Sequence, residues 1–163
     1  MAIKLNISKK RKNKIQYQPN HKKYNFLKYW RVVKYYIKNK YELSGPELEM
    51  LLFLYDEDLF SRETFNEFAS TMSWDKRRFS EMKKRGYIKV WRERKETQRS
   101  TLYELTFTAK RICDHTYKKL MREEIISENP YRNTIFKGSS YTDKVYKNII
   151  KSMNSKTLAR SDS

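Results

Sequence analysis

The sequence predicts a mainly α fold with a small β-hairpin wing: a winged helix-turn-helix with extra helices at its N- and C-termini. Three observations carry this expectation. Only three Gly and three Pro occur in 163 residues, which favours helices over a turn-rich all-β fold. Apolar residues recur at three- and four-residue steps through most of the chain, the period of a helix with one buried face. Between residues 75 and 108 that period gives way to a short basic helix, two β-rich runs joined by a charged loop, and a new helix start.

Residues 1–23 read as a disordered basic arm, with Lys9, Lys10, Arg11, Lys12 and Lys14 clustered before the breaker Pro19-Asn20. A folded domain is expected over residues 24–128. Its first helix covers 24–40, with Phe26, Trp30, Val33 and Ile37 on one face. Ser44 starts the second helix: its side chain can cap, Pro46 suits the first turn, and Glu47 completes a capping box. Leu48, Leu51, Leu52 and Tyr55 form the buried face, and the helix ends in Asp56-Glu57-Asp58. Ser61 opens a third helix with a narrow stripe of Phe65, Phe68, Ala69 and Met72.

After the turn Ser73-Trp74-Asp75, with Asp75 or Ser73 as N-cap, a fourth helix keeps Phe79 and Met82 inward. It stops at Gly86, and Lys83, Lys84 and Arg85 suit the negative end of its dipole. Strands at 87–91 and 102–105 enclose the loop 92–99, and Thr106 can cap the next helix. Ile112, Thr116, Leu120 and Met121 line that long helix, which ends before Asn129-Pro130. A C-terminal extension, 129–154, holds a last helix capped by Ser139, Ser140 or Thr142, with Val145, Ile149, Ile150 and Met153 on its apolar face. Residues 155–163 read as a disordered tail.

The net charge of +18 is unevenly spread. Residues 1–41 carry thirteen Lys/Arg and no acid, 42–128 carry seventeen of each sign, and 129–163 carry seven bases and two acids. Within the neutral middle the signs separate by element. Residues 42–75 hold nine Asp/Glu and one Arg, while 76–99 hold eleven Lys/Arg and three Asp/Glu. Solvated surfaces usually mix their signs, so this segregation points to a nucleic-acid footprint. The candidate DNA-binding residues are Lys76, Arg77, Ser80, Lys83 and Lys84 on the outward face of the fourth helix, and Arg92, Arg94, Lys95 and Arg99 in the loop. Side chains near a helix start reach base edges, and lysines further along meet phosphate. Guanidinium groups suit a narrow minor groove.

SGPELEMLLFLY (44–55), FNEFAS (65–70), the MKKRGYI ending (82–88) and RSTLYELTFTAK (99–110) succeed one another in a familiar order. From residue 43 to about 126 the chain resembles the MarR-like winged-helix transcription regulators. The stretch between Ala69 and Gly86 is shorter than in that family, which implies a short recognition helix. The resemblance implies a homodimer joined through its first and last helices. It also implies major-groove readout by the helix at about 75–85, minor-groove contact by an arginine at the wing tip, and a role in regulating transcription.

Two other readings stand beside duplex binding. An RNA or single-strand binder would stack bases on tyrosines such as Tyr29, Tyr35, Tyr36, Tyr141 and Tyr146. A protein-interaction module would dock through the acidic surface of 42–67. No enzyme is expected: there is no Walker loop, dinucleotide fingerprint or nucleophile elbow, and no His or Lys is arranged around Asp56-Glu57-Asp58. Cys113-Asp114-His115 does not read as a metal site, because residues two apart on a helix point to different sides and no second ligand pair exists. No cofactor is expected, and the sequence names no small-molecule effector. A lone cysteine, no apolar run near the roughly 20 residues of a membrane span and no secretory h-region lead to the expectation of a cytoplasmic protein in a bacterial or phage-infected cell.

Overall fold

The computed structural model describes residues 26–72, 75–95 and 100–161. The expected arm, Ser73 and Trp74, and the loop end 96–99 with Arg99 lie outside the described residues. The described chain runs α1 (Phe26–Tyr41), α2 (Gly45–Tyr55), β1 (Leu59–Ser61), α3 (Arg62–Thr71), α4 (Arg78–Lys84), β2 (Ile88–Arg92), β3 (Leu102–Leu105), α5 (Phe107–Met121), α6 (Thr134–Lys137) and α7 (Tyr141–Ser161). It is mainly helical, with one small antiparallel sheet of order β1-β3-β2. Among the described residues no helix is long and apolar enough to cross a membrane.

Local capping sets most of the boundaries. Ser44 and Glu47 form the capping box of α2: Ser44 Oγ accepts the Glu47 N–H at 3.3 Å, and the Glu47 carboxylate accepts the Ser44 N–H at 2.7 Å. Ser61 Oγ accepts the Thr64 N–H at 3.2 Å and starts α3. Thr106 Oγ1 accepts the Ala109 N–H and donates to the Gly86 carbonyl at 2.8 Å, so the start of α5 is tied to the end of α4. Gly86 has φ of +73°, and the N–H groups of Gly86 and Tyr87 return to Lys83 and Met82 at 3.0 Å each. That pair of bonds is a Schellman stop, and its left-handed position favours glycine.

The structure corrects several expectations. β1 is absent from the sequence reading; it is only three residues long, pairs Phe60 with Tyr103, and is too short to show an alternating pattern. The buried face of α1 is Tyr29, Val32, Val33, Tyr36 and Ile37, while Phe26 is 41% exposed. The stripe is wider and rotated because α1 packs on α2, α5 and α7 together, and tyrosine rings fill part of it. The long helix does end before Asn129, but two turns sooner than that boundary requires. It ends at Met121, where Arg122 turns left-handed (φ +59°) and Glu123 N–H closes on the Lys118 carbonyl at 2.9 Å. Leaving the helix buries Ile126, whose N–H and carbonyl both bond to the side chain of Asn154 at 2.9 Å. Finally, the last helix does not give way to a tail after Asn154 but continues to Ser161.

The core is continuous. α1, α2 and α5 pack together, β3 lies against α2 and α5, and α6 and α7 return onto α1. Phe60, Phe65, Phe79 and Met82 extend the same core under α4.

Candidate nucleic-acid interface

α4 is only seven residues long, too short to persist without tertiary packing. Two side chains seat it. Phe79 is 3% exposed, with its ring centroid 4.9 Å from both Phe65 and Tyr103, each edge-on. Met82, one turn on, is fully buried. With 79 and 82 inward, helical geometry turns Ser80, Glu81 and Lys84 outward and leaves Lys83 on the flank; all four are exposed. Lys83 Nζ lies 5.6 Å from the centre of the Tyr103 ring.

The start of α4 differs from expectation. The helix begins at Arg78 and has no side-chain cap. Asp75 instead holds the preceding turn: its carboxylate accepts the Arg77 N–H at 2.9 Å and pairs with the Arg77 guanidinium at 2.9 Å. Hydrogen bonds from Arg77 hold the Asp75 carboxyl below the usual range. Arg77 therefore projects into solvent with its charge already partnered by its own turn. Lys76, also exposed, has no carboxylate partner among the described residues.

Two arginines outside the expected set position this helix. Arg62 stacks its guanidinium 4.2 Å from the centre of the Phe79 ring and donates to the Lys76 carbonyl at 3.2 Å. It therefore braces the turn from α3 into α4. Its signal was present in the sequence as the single base among nine acids. Arg85 donates to the Glu47 carboxylate at 2.6 Å and to the Glu42 carbonyl at 2.9 Å, clamping the end of α4 to the start of α2. Burial alone would raise the Glu47 carboxyl, but hydrogen bonds from Ser44 and Arg85 outweigh it and hold the group low.

α4 packs against β2, so helix and hairpin adjoin. Between Val90 and Arg92 the ladder with β3 skips a residue, a bulge at Trp91. The bulge breaks the two-residue alternation, so Trp91 and Arg92 are both exposed, and it increases the local twist where the hairpin leaves the sheet. The Arg92 guanidinium lies 5.5 Å from the Trp91 ring centre. The Arg94 N–H bonds to Thr101 Oγ1 at 3.3 Å, Lys95 is exposed, and Arg99 is outside the described residues. Glu104 of β3 pairs with Lys89 of β2 at 2.9 Å and lies 3.7 Å from Lys110 of α5, so one carboxylate is shared between two cations. Lys76, Lys83, Lys84, Arg92, Arg94 and Lys95 have no ion pair among the described residues. Glu81 is the acid that shares the outward face of α4.

The remaining candidates fall elsewhere. Cys113 is buried, and burial pushes its thiol up to about 12, the state of an inert side chain. Asp114 accepts the Tyr55 hydroxyl, and His115 faces Tyr41, so the three neighbours diverge. Tyr29, Tyr36 and Tyr146 are core residues, which removes them as base-stacking platforms. No family model matches the chain, and no curated protein or solved structure matches it either.

Proposed function

We propose that the chain is a duplex-DNA-binding protein of the winged helix-turn-helix type that regulates transcription. The observation that carries the reading is the row of cations on α4 and the adjoining hairpin that have no ion pair among the described residues, set against Arg62 and Arg85, whose partners hold that same helix in place. The order helix, strand, helix, helix, strand, strand over α2–β3 supports it, as does the resemblance of residues 43–126 to MarR-like regulators. In this reading α4 enters the major groove, with Ser80 and Lys84 central to its outward face. Arg77 must release Asp75 before it can meet a base. Arg92, Arg94, Lys95 and Arg99 line the neighbouring groove, and the basic residues of 1–23 add sequence-independent attraction.

A twofold homodimer belongs to the same proposal on narrower ground. Much of the apolar surface of α1 and α7 is consumed inside one chain; among the described side chains the most exposed that those helices leave outside are Leu27, at 86%, and Tyr141, at 84%. Half-sites would lie about 10 base pairs apart or a multiple of that.

Competition at fixed salt tests the reading. Labelled duplex should be displaced far better by unlabelled duplex than by single-stranded DNA or RNA of the same length. Equal or better displacement by single strands would favour the single-strand reading instead.

A further inference from the structure

A groove of about 380 Å³ opens at the end of α2, between α1, the end of α3 and α5. Its floor is apolar: Trp30 of α1, Leu52 and Phe53 of α2, Met72 after α3 and Tyr117 of α5. Phe53 and Met72 stay 37% and 42% exposed, although Phe53 also packs edge-on to Phe68, with 4.2 Å between ring centres. The other lining residues are the acids Glu49, Asp56 and Glu57. Glu49 is answered by Lys34, whose ammonium also lies 5.8 Å from the Trp30 ring centre. Asp56 and Glu57 are exposed and have no ion pair among the described residues.

These acids are poorly placed for their own helix. Asp56 is the C-cap of α2, Glu57 and Asp58 follow it, and the last turn holds no base. Carboxylates at the negative end of a helix dipole are unfavourable unless cations reach them from elsewhere. The chain has such cations close at hand. Residues 1–25 carry eight Lys/Arg and no acid, and Lys9, Lys10, Arg11, Lys12 and Lys14 run directly into Ile15 and Tyr17. Cations followed by apolar side chains match a groove with an acidic rim and an apolar floor. The segment joins the fold at Phe26, one turn before Trp30 and on the same side of α1. Twelve residues lead from Lys14 to Phe26, a span of up to about 40 Å, against a length of about 16 Å for the 11 residues of α2.

We propose that this groove receives the chain's own N-terminal segment, with the cations of 9–14 against Asp56 and Glu57, and with Ile15 and Tyr17 over Trp30, Phe53 and Met72. The contact is a set of exposed ion pairs, so it is weak and salt-sensitive, and a strong polyanion displaces it. That a duplex does so rests on the duplex-binding reading; the contact itself needs no nucleic acid and stands apart from that reading.

Paramagnetic relaxation in the full chain tests the contact without nucleic acid. Ser8→Cys carries a nitroxide, and Cys113 is buried, so position 8 takes the label. The indole N–H signals of Trp30, Trp74 and Trp91 are told apart by Trp74→Phe and Trp91→Phe. In dilute buffer the nitroxide should broaden Trp30 strongly and Trp91, on the hairpin, little. The difference should vanish in about 1 M salt, where the screening length falls to about 3 Å. Asp56→Asn with Glu57→Gln should lower the docked-to-undocked ratio about fivefold. Lys9→Gln, Lys10→Gln, Arg11→Gln, Lys12→Gln and Lys14→Gln together should lower it at least as far. Equal broadening of Trp30 and Trp91 would overturn the proposal. Unchanged broadening of Trp30 in either charge variant, with a native melting temperature, would do the same. So would equal broadening of Trp30 in unlabelled chains mixed with labelled ones, which would assign the groove to a second copy's segment.

Discussion

Some cations are answered within the fold: Lys34 with Glu49 and Lys119 with Glu124 on the helical scaffold, and Arg85, at the end of α4, with Glu47 on α2. Along α4 and the hairpin, Lys76, Lys83, Lys84, Arg92, Arg94 and Lys95 have none among the described residues, and Arg77 has only its own turn's Asp75. The difference teaches that a charge run does not identify an interface; what identifies it is which charges the fold leaves unanswered. The partnered cations orient elements. The unpartnered ones keep their field for something outside the chain.

The sharpest way to break this contrast is to unseat α4. Phe79→Ala removes one of only two buried anchors and should cost about 3–5 kcal/mol in chemical denaturation. Duplex binding should fall with the fold. An unchanged melting temperature would mean that the helix is held by its charges after all.

The scaffold carries the expected pH sensitivity. The imidazole of His115 titrates near 4 in the fold against 6.5 unfolded, so the unfolded chain takes up the proton first as pH falls. Stability is therefore fully present above about pH 6.5 and should decline by up to about 3 kcal/mol as pH falls to 4. His115→Gln should flatten that decline. If the slope survives the substitution, the linkage lies elsewhere.

Gly86→Ala tests the junction between the two regions. A Cβ there meets nothing within 4 Å, so the cost is backbone strain at φ +73° alone, about 1–2 kcal/mol. A larger loss would reveal a contact beyond the Schellman stop.

The smallest effect separates two neighbours. Arg85→Ala should cost about 1 kcal/mol, discounted because its side chain is more than a third exposed. Lys84→Ala should leave stability within about 0.5 kcal/mol of the parent. Equal effects at the two positions would erase the distinction between partnered and unpartnered cations.

Much of this division was legible in the sequence, and the misses share a cause. The caps at Ser44, Ser61 and Thr106 and the stop at Gly86 were readable because each acts within four residues. So were Phe79 and Met82, which sit on the inner face that the three-residue step indicates. β1, the end of α5 at Met121 and the tyrosine-rich face of α1 depend on partners far along the chain: Tyr103 for Phe60, Asn154 for Ile126, α7 for α1. Periodicity carries no record of those. The candidate cations of α4 were legible as a run, but the sorting of Arg77 toward Asp75 and of Arg85 toward Glu47 required three dimensions. The groove at the end of α2 was not legible, since its walls come from four separate segments.

The central claim is tested most directly by the salt dependence of duplex binding in two variants of matched charge removal. One replaces Lys83, Lys84, Arg92 and Arg94 with Ala; the other replaces Lys34, Lys110, Lys118 and Lys147, cations on the helical scaffold. If the α4 and hairpin cations meet phosphate, the slope of log K against log salt should fall by about 0.9 for each phosphate that the first variant no longer neutralises. It should stay near that of the parent in the second. Equal slopes in the two variants, with both folded, would contradict the account.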